Sequence, residues 1–266
     1  MISRRSLMAT AAASGVVPAL VSFEAFAQDS RILADLRKRG TLRVATTAGN
    51  PPYSAFKLDG TPEGYDVDIA QQLAQALKVK PEWVVGDLPG RITALIEGRA
   101  DVTVSNFTAT VERSIQVAFT RPYLIVGSTF MVKQGSAIQT VEQAGRAGVR
   151  IGVNTGSTHE DIFARVTPAA SKHAFGSTAE AFRALSAGQI DVMILDSLQN
   201  AAFLAKSGGS YRNLPGNWSY EEISIGVPAG DLDWLRIVDT FVRQLTGSGE
   251  SARLFRKHFG YDMPPL

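Results

Sequence analysis

LIEGRADVTVS (residues 95–105) and LSAGQIDVMIL (residues 185–195) are two copies of one phrase, ninety residues apart. Each keeps the same skeleton, Leu95-x-x-Gly98-x-x-Asp101-Val102 and Leu185-x-x-Gly188-x-x-Asp191-Val192. Glycine ends a helix at little steric cost. The apolar run after it is short and unbroken, which suits a strand covered on both faces. A helix feeding straight into a buried strand, twice, predicts two α/β lobes, each a mostly parallel sheet flanked by helices.

The pattern continues outward. TLRVATT (41–47) alternates Leu42 and Val44 and runs into the turn residues Gly49-Asn50-Pro51-Pro52. Asp59-Gly60 marks a hairpin. Ile69, Ala70, Leu73, Ala74 and Leu77 recur at helical spacing over 66–77, and Ile92, Leu95 and Ile96 mark a short helix. Ligands of open α/β sheets bind beyond the carboxyl ends of strands. Four polar clusters fall at such ends: Thr46-Thr47, Ser105-Asn106-Phe107-Thr108, Asn154-Thr155-Gly156-Ser157-Thr158, and Asp196-Ser197. Two come from each half of the repeat, so the expected site is built from both lobes.

Composition narrows the chemistry. The chain has 266 residues, 45% hydrophobic and 20% charged, with a net charge of +2 and no basic run, so a nucleic-acid partner is not expected. It has no cysteine, which removes thiol catalysis, disulfides and a lipidated N-terminal Cys. The histidines, His159, His173 and His258, lack metal-ligand spacing; His159 is expected at the rim of the pocket or on a surface turn, the other two on the surface. No phosphate loop, G-x-S-x-G or H-E-x-x-H occurs. No cofactor is expected. Residues 1–27 read as an export signal: SRRSLM (3–8) precedes a small and apolar stretch, and Ala25-Phe26-Ala27 offers a cleavage site. Ser-Arg-Arg-x-Leu is close to a twin-arginine signal. The expected location is the periplasm.

Three residues stand out physically. Arg113 carries a planar fork that matches a carboxylate and stays charged when buried; the other reading is a surface helix arginine paired with Glu112. Asp196 ends an apolar strand, and a buried carboxylate without a partner is costly; alternatively it caps the next helix. Ser157-x-x-Glu160 in GSTHED (156–161) reads as a capping box, whose free amides make an anion site.

LRVATTAGNPPYSAF, GYDVDIAQQLA, TATVERSIQVAFTRPY, RIGVNTGSTHEDIF and GQIDVMILDS, in this order and spacing, resemble the polar amino-acid-binding proteins of bacterial ABC importers, solute-binding protein family 3. The resemblance covers 41–260. It implies a type II periplasmic-binding-protein fold with a two-strand hinge, lobe one being 29–126 plus 223–266 and lobe two 127–222. It implies that Arg113, Thr108 and the Thr158 amide hold a ligand α-carboxylate, and that Asp196 holds the α-ammonium. Arg91 matches an arginine that contacts side-chain carboxylates in aspartate and glutamate binders, with Asn154 at a polar position beside it. Aromatic residues common at the positions of Asn50 and Leu88 are missing, as is the acid of cation binders at Thr47. The ligand expected is a free amino acid, leaning to aspartate or glutamate, with Ser105, Asn106, Thr47 and His159 completing the site. Arg91 is expected to find an anion or Asp87. The partners implied are ABC permease subunits, the chain itself being a monomer. The same fold in exported cyclohexadienyl or arogenate dehydratases supplies the alternative, an enzyme.

Overall fold

The computed structural model describes residues 30–264; the expected export signal lies outside them. Two five-stranded sheets share one pattern. The first has the order Lys80–Gly86, Thr41–Thr47, Val102–Thr103, Glu221–Pro228, Val117–Val126. Its first three strands are parallel, and Glu221–Pro228 is antiparallel to both neighbours. The second has the order Ser171–Phe175, Arg150–Asn154, Val192–Asp196, Ser128–Lys133, Tyr211–Asn213. Again the first three are parallel and Ser128–Lys133 runs against its neighbours. The repeat therefore occupies the third strand of each sheet.

The conserved spacing within the repeat has a mechanical reason. Gly98 and Gly188 take left-handed φ of 67° and 72° as their helices end. Three residues on, Asp101 accepts from the Arg43 amide at 2.8 Å and its Nη2 at 2.7 Å. Asp191 accepts from the Arg150 amide at 2.9 Å and its Nη2 at 2.6 Å. Each aspartate pins its strand to the neighbouring parallel strand of its own sheet, and so fixes where that strand's carboxyl end emerges.

Packing explains the unbroken apolar runs. Along Val192–Asp196, Val192 and Ile194 pack with Phe130, Ile151 and Val153 on one face, while Met193 and Leu195 pack with Met131, Ala181 and Leu185 on the other. Successive side chains point to opposite faces, and both faces are covered. In the first lobe, helix Leu232–Gly247 turns Trp234, Val238, Val242 and Leu245 into a core with Leu42, Ile69 and Ile225. Trp234 also donates its indole N–H to the Asp101 carbonyl at 2.9 Å.

The chain passes from the first sheet to the second through Val126, Gly127 and Ser128, and returns through 214–220 into Glu221. The two passages touch: Ser128 N–H donates to Ser219 Oγ at 2.8 Å, and Trp218 N–H to the Ser128 carbonyl at 2.9 Å. Paired crossovers of this kind make a hinge.

Candidate functional site

A polar cleft with about 380 Å³ of free space, counting its mouth, lies between the lobes. The carboxyl ends of strands from both sheets converge on it.

Arg113 sits in the short helix Val111–Ser114, which Thr110 caps by accepting from the Arg113 amide. The residue is 9% exposed and lines the cleft. Nη1 donates to the Thr108 carbonyl at 2.8 Å and Nη2 to the Gly156 carbonyl of the other lobe at 3.0 Å. Glu112 takes neither bond, so the surface reading fails. Burial pushes the guanidinium below its ordinary value, against the pull of Glu221, Asp161 and Glu112. Gly156 allows this approach: its φ is 74°, and a Cβ there would fall 2.7 Å from Pro89.

Asp196 is 2% exposed and fills both roles considered for it. As a cap it accepts from the Gln199 amide at 2.7 Å. From the opposite lobe it accepts the Tyr53 hydroxyl at 2.9 Å and Asn106 Nδ2 at 3.1 Å. Burial pushes its carboxyl up to about 6, against the bonds from Gln199 and Tyr53 and with help from the Glu221 charge. Asn106 holds a left-handed φ of 46° and is propped by Asp66, which accepts its backbone N–H at 2.5 Å and the Tyr123 hydroxyl at 2.8 Å. Burial also pushes Asp66 up, to about 7.

Thr158 lines the cleft, and among the described residues no acceptor takes its amide. The capping box is not formed as expected. Ser157 instead donates its hydroxyl to the Asn154 carbonyl at 2.6 Å, and Thr158 is the N-cap residue, without a side-chain cap. Only Glu160 reaches back, accepting from the Gly156 amide at 2.8 Å. His159 is not on the surface but 7% exposed, with Nδ1 buried and unpaired; burial lowers its pKa, so the ring is neutral at neutral pH. His258 is also drawn in, its ring 2.7 Å from Asp68.

Arg91 lines the cleft but finds neither an anion nor Asp87. Nε donates to the Leu88 carbonyl at 2.9 Å and Nη1 to the carbonyls of Ser105 and Asn106, while Asp87 accepts the Gly90 amide. Burial, then the nearby Arg113, pushes Arg91 down to about 9, so it stays charged at neutral pH. Both guanidiniums lie over the Phe107 ring, at 4.7 and 5.1 Å. Thr47 and Ser105 do not line this cleft: they form a buried hydroxyl chain with Ser54 behind it.

Sequence reasoning missed Glu221, the first residue of the returning strand. Its carboxylate collects four hydroxyls: Thr108 at 2.9 Å and Thr158 at 2.6 Å on Oε2, Ser128 at 2.8 Å and Ser219 at 2.7 Å on Oε1. Burial would raise its carboxyl, and a protonated His159 would oppose that. The hydroxyl bonds from Thr158, Ser219 and Ser128 oppose it next, and together these influences hold Glu221 below its usual range. One carboxylate thus ties the first lobe, the second lobe and both crossovers together. Glu221→Ala is expected to destabilise the protein by about 1–3 kcal/mol, because buried hydroxyls lose their acceptor. Chemical denaturation checks this, with Glu221→Gln recovering part of the loss.

Also missed was a chain of neutral groups across the cleft. Asn154 Nδ2 donates to Thr178 Oγ1 at 2.7 Å, Thr178 donates to Asn50 Oδ1 at 3.0 Å, and Gln199 Nε2 donates to Asn50 Oδ1 at 2.8 Å and the Pro51 carbonyl at 2.5 Å. Among the described residues no acidic, histidine or cysteine cluster could hold a metal ion.

Residues 42–261 match the bacterial extracellular solute-binding proteins, family 3. The chain belongs to this family. Among family relatives, the L-cystine-binding protein TcyJ of Escherichia coli (strain K12) is 27% identical, covering 98% of this chain and 97% of its own. The cyclohexadienyl dehydratase of Pseudomonas aeruginosa is 32% identical over 68% of each chain. The crystal structure of AncCDT-1, an ancestral amino-acid-binding protein and precursor of cyclohexadienyl dehydratase, superposes with a TM-score of 0.80 at 34% identity, covering 85% of this chain and 99% of that one. The two lobes and their paired crossovers are the type II periplasmic-binding-protein fold. In this solute-binding protein, the bonds of Asp196, Arg113 and Asn50 between lobes draw the cleft together.

Proposed function

We propose that this protein captures a free α-amino acid between its lobes outside the cytoplasm and delivers it to the permease of an ABC importer. One observation carries the reading. A guanidinium from one lobe and a carboxylate from the other face the same cleft, both buried and, among the described residues, neither in an ion pair. A buried charge without a counter-charge is expensive. A zwitterion supplies both: its carboxylate to Arg113, Thr108 and the Thr158 amide, its ammonium to Asp196 and Asn106. Hinge closure follows because each half-site gains its partner only when the lobes meet, so ligand favours the closed state by its differential affinity. A thermal-shift screen of the mature protein against the standard amino acids tests the reading, since a ligand of the folded state alone raises the melting temperature. No shift with any amino acid would overturn it.

The raised Asp196 carboxyl gives a pH signature. Ionised Asp196 is costly in the empty cleft, so this group stabilises the unliganded protein below the unfolded-state value near ~4, and that contribution is lost as pH rises through about 6. A ligand ammonium reverses the sign by pairing with the ionised form. Affinity is therefore expected to fall by about tenfold per pH unit below about 6, with proton release on binding. Calorimetry in buffers of different ionisation enthalpy reads both.

A second reading, an exported dehydratase, has one observation of its own: a cleft carboxyl held near 6 is suited to proton transfer. Turnover of prephenate or arogenate by the purified protein would favour it.

A further inference from the structure

We infer that the side-chain end of the cleft selects a neutral hydrogen-bond donor, best supplied by the carboxamide of glutamine or asparagine, over the carboxylate of glutamate or aspartate. This rests on the amino-acid-binding reading and concerns the same site.

The Pro51 carbonyl can only accept, so the Gln199 atom 2.5 Å from it is the Nε2 donor. The same Nε2 faces Asn50 at 2.8 Å, which requires Oδ1 there. An oxygen at Asn50 obliges the Thr178 hydroxyl to spend its one proton on it. Thr178 Oγ1 can then only accept, so the Asn154 atom 2.7 Å away is Nδ2. The orientation of Asn154 is thereby set four residues away, by a backbone carbonyl. Its other atom, Oδ1, is left buried and, among the described residues, without a partner, on a residue that is 4% exposed and lines the cleft.

A buried carbonyl oxygen without a donor costs free energy that a ligand N–H or O–H recovers and a ligand carboxylate cannot. A carboxylate there would face oxygen with oxygen. Arg91 has only Nη2 to offer a ligand oxygen, because Nε and Nη1 are already given to backbone carbonyls, and Nη2 can meet one oxygen without relieving the other that would face Asn154. A carboxamide meets both demands, its N–H groups for Asn154 and its carbonyl for Arg91. Cationic side chains meet Arg91, still charged, and no acid on this side: the carboxylates lining the cleft are Asp196 and Glu221, the first facing the expected ammonium and the second bound to Thr108 and Thr158.

The test is calorimetric titration of the mature protein with L-glutamine, L-asparagine, L-glutamate, L-aspartate and L-arginine. At least one amide is expected to bind about tenfold or more tightly than its matching acid, because a site with an unmatched polar group discriminates strongly. Thr178→Val removes the hydroxyl that fixes Asn154 and lets that amide turn, so the amide-to-acid ratio is expected to collapse towards one; Asn154→Leu should abolish the ratio too. Glutamate, aspartate or arginine binding as tightly as the amides, or a ratio unchanged in Thr178→Val, overturns the inference while leaving amino-acid binding intact. Binding of no amino acid at all overturns both.

Discussion

Arg113→Ala is expected to weaken amino-acid binding by about 2–5 kcal/mol, the usual cost of stranding a buried charge partner. The side chain has two duties that the substitution removes together. Its fork faces the cleft from the first lobe, and its Nη2 bond to the Gly156 carbonyl reaches the second. Losing the first leaves a ligand carboxylate buried without a counter-charge; losing the second loosens the closed state itself. Arg113→Lys separates them. An ammonium retains the charge but offers no planar fork, so it is expected to restore part of the affinity and little of the geometry. Titration calorimetry on the three proteins reads the result, and an unchanged dissociation constant in the alanine variant would remove Arg113 from the site.

Asp196→Asn is expected to cost a similar amount, about 2–5 kcal/mol of affinity, with the opposite effect on the empty protein. Asparagine caps a helix as well as aspartate does, so helix Ser197–Lys206 keeps its start. The burial that pushes the Asp196 carboxyl up to about 6 is a penalty on the charged form, and a neutral amide escapes it. The unliganded variant should therefore melt at the same temperature as the parent or higher, while the ligand-induced rise disappears. A variant that melts early and binds weakly would mean only damaged packing. One that melts early yet binds normally would place the ammonium elsewhere.

Much of this was readable along the chain. The repeat at 95–105 and 185–195 carried the two sheets, because a glycine stop and a run of apolar residues are local signals. Arg113, Thr108, Asn106, Asn154, Thr158 and Asp196 follow strand ends closely in sequence, and all line the cleft. Position relative to a strand end brought these six to the cleft but left Thr47 and Ser105 behind it. It does not decide what the side chain does there. Ser157 has the spacing of a cap, yet the Asn154 carbonyl claims its hydroxyl; Arg91 has the charge of an anion binder, yet three carbonyls surround it.

By itself, then, the sequence determined the two lobes, the polar ends of their strands and the charges of Arg91, Arg113 and Asp196 beside them, since periodicity and turn chemistry act over a few residues. Only the tertiary structure decided which of those charges stay unpaired. Glu221 meets Thr108 and Thr158 across 113 and 63 positions, and Gln199 meets Asn50 across 149. Hydrogen bonds reach about 3 Å and are indifferent to chain separation, so their partners are chosen by packing.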